Sequence, residues 1–263
     1  MNIKLGGQKS PEDKRDIKLG KIEVPIKLPE EYLPDYSGFS IYYQNGQGAC
    51  GGHAGAKAKE ILDYYDIGEI KEYSPRFVYA CCKFLDGIPY GEGTYLRAIG
   101  DSLKKYGACD MSLYPNEVSL PWEDYKSFQN ISEEAFENAQ ERIISAYAFT
   151  GTGWEDIKQG IYQHKLVLLL VSPFLEGYSS GHFVVATGWD KNNRIRYINS
   201  FGKDWGENGW SWLEKGTFQM VQEGMTMVDI PNSTIKKLTS DIKILREIVA
   251  LYIKVVDLIK KKL

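Results

Sequence analysis

The chain has 263 residues, room for one two-lobed enzyme with a sizeable core, and 32 Lys plus Arg against 35 Asp plus Glu leave a net charge near −3. No basic field exists to attract nucleic acid. Four cysteines, of which Cys81 and Cys82 are adjacent, are too few for a disulfide scaffold, and with three widely separated histidines they form no zinc spacing, so neither a metal nor a cofactor is expected.

The N-terminus is polar and charged, without the apolar stretch of a secretory signal. The longest apolar run, residues 166–171, is far below the roughly 18 residues of a membrane span. A cytoplasmic or virion-associated location is expected, with no membrane contact. Residues 1–27 are rich in Lys, Asp and Gly and weakly periodic; they read as an extended arm, with Ile17, Ile22 and Ile26 available to dock locally. In GACGGHAGAKAKEILDYYD a glycine-rich turn passes into a helix of small residues, since Ala54, Ala58, Ile61 and Leu62 recur at helical spacing. Cys50 therefore stands where loop becomes helix. Ser74 and Pro75, an N-cap followed by proline at the first helical position, open a second helix through RFVYACCKFL. A third helix, YLRAIGDSLKKYG, follows Thr94 and ends at Gly107 as a C-cap glycine would end it.

Residues 116–145 are polar, with one more short helix in EEAFENAQERII. Beyond them KLVLLLVS, HFVVATGWD and RIRYINSF are short β-branched and aromatic runs bounded by Gly, Asp and Asn, which predicts strands of one antiparallel sheet. His164 marks the turn before the first. From Ile235 onward apolar residues fall at Leu238, Ile242, Leu245, Val249, Tyr252, Val256, Ile259 and Leu263, a heptad seam that calls for a partner surface. Pairing into a homo-oligomer or other assembly is the favoured use, ahead of docking on the protein's own body or lying on a membrane.

A cysteine nucleophile acts as thiolate, and a helix N-terminus favours that charge. Cys50 has this placement. Gln44, six residues upstream on a glycine-rich loop, can bring its amide NH2 beside the Cys50 N–H to hold an oxyanion. His182, at the mouth of a strand with Gly181 leaving room beside it, is the candidate base, and Asn199 can accept from its imidazole and fix the ring. Cys81, Cys82 and Cys109 read as small buried hydrophobes.

QNGQGAC before a helix, GHFVVATGWD and NSFGKDWGENGW together resemble the papain family of cysteine peptidases, in its bacterial and viral form without a long prosegment. The last segment is the sharpest, with Asn199, Ser200, Phe201, Gly202 and Trp205 to Gly209 matching the family's asparagine motif. SPRFVYACCKFLDG and GEGTYLRAIGDSLKKYGACDMSLYP add support, and the resemblance covers about residues 28–230. It implies an α+β, two-lobed papain-like fold with a helical left lobe (28–130) and an antiparallel-sheet right lobe (131–230), between the arm (1–27) and a C-terminal amphipathic helix (231–263). It also implies Cys50, His182, Asn199 and Gln44 as catalytic residues. Gly91 and Gly93 would pair with an extended peptide, and Trp205 would flank the leaving group.

Phe201 replaces the family's usual Trp as an apolar lid over the His182–Asn199 pair, and Gly51 replaces the Trp after the nucleophile. A shifted register of QGACGGH would put His53 in the nucleophile's place and predict a dead protease; the spacing of Gln44 and Cys50 argues against it. The expected function is a cysteine peptidase, an endopeptidase acting on peptides or proteins, with residues 1–27 partly covering its cleft. The alternative is a catalytically silent papain-like binding or structural module, such as a virion or assembly component, anchored by the C-terminal helix.

Overall fold

The computed structural model describes residues 3–88, 90–177, 180–217, 219–229, 244–246 and 248–249. Met1–Asp229 is one compact unit and Ile230–Leu263 a second. In the second unit residues 244–246 and 248–249 are helical and exposed, and the rest of the expected seam lies outside the described residues.

The first unit is α+β. Strand β1 (Gly7–Gln8) lies in the N-terminal arm, and helices α1 (Cys50–Ile67), α2 (Pro75–Leu85) and α3 (Leu96–Lys105) follow, with the two-residue strand β2 (Thr94–Tyr95) just before α3. Small residues let α1 pack closely: a Cβ on Gly52 would stand 2.4 Å from the Pro75 carbonyl oxygen. At the start of α2 the Ser74 hydroxyl accepts from Phe77 N at 3.0 Å, leaving Pro75 where no N–H is needed. Helix α3 stops where Gly107, at φ +78°, returns its N–H to the Ser102 and Leu103 carbonyls.

Helices α4 (Trp122–Tyr125) and α5 (Glu133–Gln140) extend this layer. Although α5 lies beyond residue 130, its Phe136 ring packs on Phe77 of α2, 5.5 Å between centroids. Helix α1 carries four buried charges. Lys57 pairs with Glu60 and donates to the Ser40 carbonyl at 2.8 Å, while Lys59 bridges Asp63 and Asp229. Glu60 accepts from Tyr73 N at 3.0 Å and from the Tyr42 hydroxyl, so each buried charge is answered.

The sheet comprises β3 (Ala146–Thr150), β4 (Val167–Val171), β5 (His182–Trp189), β6 (Ile195–Ile198), β7 (Trp210–Leu213) and β8 (Val221–Val228), antiparallel in the order β3-β8-β4-β5-β6-β7. Helix α6 (Trp154–His164) covers its outer face. Alternation along the central strands serves two cores. Leu168, Leu170, Phe183 and Val185 join the helical layer, whereas Val167, Leu169, Val171, Val184 and Ala186 meet Ile157 and Ile161 of α6. Burial on both faces is why β4 and β5 read as continuous apolar runs.

In the arm the expected anchors are wrong. Ile17, Ile22 and Ile26 are 48%, 63% and 40% exposed, and Leu19 is the buried one. Backbone bonds hold the arm instead, among them Phe149 N to the Ile17 carbonyl at 2.8 Å, because an extended segment beside a sheet has unpaired amides to offer.

Candidate active site

The first residue of α1, after its N-cap Ala49, is Cys50, which is fully buried. Burial pushes its thiol up to about 11, and the neighbouring backbone amides of Phe183 and Gly6 pull in the opposite direction. Opposite it, β5 opens with His182. The imidazole is clasped between the Phe174 and Phe201 rings, centroids 4.4 and 4.6 Å away, and burial lowers its pKa to about 4.

Asn199 follows β6, and its Oδ1 lies 2.7 Å from His182 Nε2. The backbone N–H of Ser200 donates to the same Asn199 atom at 2.7 Å, so that atom is the carbonyl oxygen and Nε2 carries the imidazole proton. His182 Nδ1 is left as a lone pair with no hydrogen-bond partner among the described residues. The side chain of Ser200 reaches elsewhere: its hydroxyl donates to Gln44 Oε1 at 2.6 Å, and Gln44 N donates to the Ser200 carbonyl at 2.9 Å. With its oxygen occupied, the buried Gln44 amide directs its NH2 to the carbonyls of Gln47 and Lys4, each at 2.8 Å.

Lys4 belongs to the arm, which threads the site. Strand β1 pairs in parallel with β2, the Thr94 N–H donates to the Gly6 carbonyl at 3.0 Å, and Gly7 N donates to the Gly181 carbonyl at 2.8 Å. The fit is close enough to require glycine: a Cβ on Gly6 would stand 2.1 Å from the Gly48 carbonyl oxygen and 2.9 Å from Gly93 Cα. Further along, Ser10 binds the Glu223 carboxylate through N and Oγ, at 3.0 and 2.9 Å, and Arg97 forks onto Asp16. A cavity of about 460 Å³ lies beside the arm, lined in part by Glu92, Leu170, Ser172 and Gln222.

The family model for papain family cysteine proteases matches residues 40–230. The chain belongs to that family. It is thus a cysteine-type peptidase whose substrates are peptides or proteins. A search of curated proteins finds no match. Among solved structures, xylellain, a cysteine protease from Xylella fastidiosa, superposes with a TM-score of 0.72 at 20% identity, over 86% of this chain and 96% of that one. A Carica candamarcensis cysteine protease in complex with E-64 gives 0.58 at 16% identity, over 77% and 99%. Digestive procathepsin L 3 of Tenebrio molitor larval midgut gives 0.59 at 15%, over 78% and 72%. At these identities the structures establish the papain-like fold.

Gln44, Cys50, His182, Asn199, Gly93 and Gly181 come together around the arm. Gly91 is exposed, with nothing among the described residues within 4 Å of where a side chain would begin. Trp205 packs behind the imidazole, 5.7 Å from Phe201 and 6.2 Å from Phe174. His53 is buried one turn into α1, its Nδ1 on the Ala49 carbonyl at 2.9 Å and its Nε2 beside Asn116 Nδ2 at 3.2 Å, which explains it as a packed polar residue. Phe174, Glu92 and the segment Lys4–Gly6–Gly7 stand outside the motifs of the sequence, and Ser200 is marked there only as part of the asparagine motif. In the arm the Gly6-Gly7 doublet is the signal, two residues without side chains in a leader rich in charge.

No helix among the described residues is long and apolar enough to cross a membrane. Asp63, Asp66 and Asp229 could group around a cation, but Lys59 already pairs with Asp63 and Asp229.

Proposed function

We propose that the peptidase works through Cys50, His182 and Asn199, with Gln44 and the Cys50 N–H binding the oxyanion. The observation that carries this reading is that Asn199 Oδ1 accepts from both Ser200 N–H and His182 Nε2–H, which keeps the proton on Nε2 and leaves Nδ1 as the ring's basic nitrogen. Nδ1 takes the thiol proton, and the sulfur attacks a peptide carbonyl whose oxygen lies on the Gln44 NH2. The imidazolium then protonates the leaving amine. Water, deprotonated by the same nitrogen, hydrolyses the thioester and regenerates the thiol.

The arm bonds to both walls of the site, Gly6 and β1 to Thr94 and β2 and Gly7 to Gly181, as an extended chain would, which favours endopeptidase action. With Gly6 against the sulfur, the arm also holds the site closed. Alkylation of Cys50 by a peptidyl thiol reagent, with Cys50→Ala unlabelled and inactive on internally quenched peptides, is the expected result. A Cys50→Ala protein that still hydrolyses peptides would sink the assignment, and a protein inert to both even after residues 1–27 are removed would favour the silent-module alternative.

A further inference from the structure

Glu92 stands on the wall of the cleft just before Gly93, and both its carboxylate oxygens are engaged. Oε2 accepts from Gly48 N at 2.7 Å, and Oε1 pairs with the ammonium of Lys4. Gly48 makes room for it, since a Cβ there would lie 2.6 Å from Glu92 Cβ and 2.7 Å from Oε2. Lys4 is also the residue whose carbonyl receives the Gln44 amide. One residue of the arm therefore fills the carbonyl-binding position with its backbone and the Glu92 carboxylate with its side chain.

When the arm leaves, Gly48 still fixes the carboxylate, but its cation has gone. The nearby Lys83 is held elsewhere, by Asp86 at 2.9 Å and the Gly93 carbonyl at 3.0 Å. A substrate whose scissile carbonyl takes the Gln44 amide presents its own side chain within reach of Glu92. We propose that Glu92 determines specificity, favouring peptides in which the residue contributing the scissile carbonyl is lysine or arginine. This rests on the proposed role of Gln44 and goes beyond it by naming the substrate class.

The full chain is assayed on matched peptides that differ only at that residue, carrying Lys, Gln or Glu, and kcat/KM ratios are compared for wild type, Glu92→Gln and Glu92→Lys. Ratios cancel any change in how often the arm opens. Expected is a Lys over Gln preference of about tenfold in wild type, near unity in Glu92→Gln, and a shift toward Glu in Glu92→Lys. Equal ratios in wild type and Glu92→Gln overturn the inference. If neither wild type nor Arg97→Ala, which loosens the arm, cleaves any of the peptides, the proposed hydrolysis fails. Specificity is then read from peptide affinities of Cys50→Ala and Cys50→Ala/Glu92→Gln; equal Lys-to-Gln affinity ratios overturn it.

Discussion

At the scale of single residues, hydrogen-bond direction decides what each group can do. Ser200 serves twice, its N–H fixing the Asn199 oxygen and its hydroxyl fixing the Gln44 amide. Removing the hydroxyl lets that amide turn, so Ser200→Ala is expected to lower kcat about tenfold with a smaller effect on KM, measured on a quenched peptide. Burial also has a pH signature. His53 and His182 both titrate near 4 in the folded chain against an ordinary 6.5, so the unfolded chain takes up protons first. Their contribution to stability is full above about 6.5 and is lost as pH falls toward about 4. Urea midpoints measured across that window are expected to fall less steeply for His53→Gln than for wild type; an identical slope would contradict the assignment. The catalytic candidates were legible because each sits in a short local motif. Phe174 was not, because nothing near it in sequence marks a ring that packs on an imidazole at the start of the next strand.

Elements are legible where their signals are local. Ser74 and Pro75 announce α2, and losing the Ser74 cap in Ser74→Ala is expected to cost about 1 kcal/mol by urea denaturation. Helix α6 is not legible in the sequence although Glu155 and Asp156 occupy its first turn and Ile157 and Ile161 repeat at four, because one turn of apolar spacing is a weak pattern. Strand β8 is harder still. Placed between β3 and β4, it carries Gln222, Glu223 and Gly224 in its first half, where Glu223 binds Ser10 and Gly224 lies across from Thr150. The charges of α1 look like a solvated face in sequence and are buried in the fold. Lys59→Met, which leaves Asp63 and Asp229 without their shared cation, is expected to destabilise by about 3–5 kcal/mol in the same assay.

For the first unit as a whole, the arm links the helical layer to the sheet through the site itself. Its latch is partly buried: Arg97 forks onto Asp16 and donates to the Pro11 carbonyl at 2.5 Å. If the arm holds the site closed, Arg97→Ala is expected to raise kcat/KM on a small peptide about tenfold by loosening that latch. Unchanged hydrolysis would count against closure by the arm. The sequence by itself determined the papain-like family and marked Gln44, Cys50, His182 and Asn199 as candidates, because helix starts, strand runs and the asparagine motif are written in neighbouring residues. Only the tertiary structure decided that Lys4 lies on Gln44 and Glu92 and Gly6 against Cys50. Those contacts join residues 40 to 88 positions apart, and local pattern carries no record of which distant backbone an extended arm will meet.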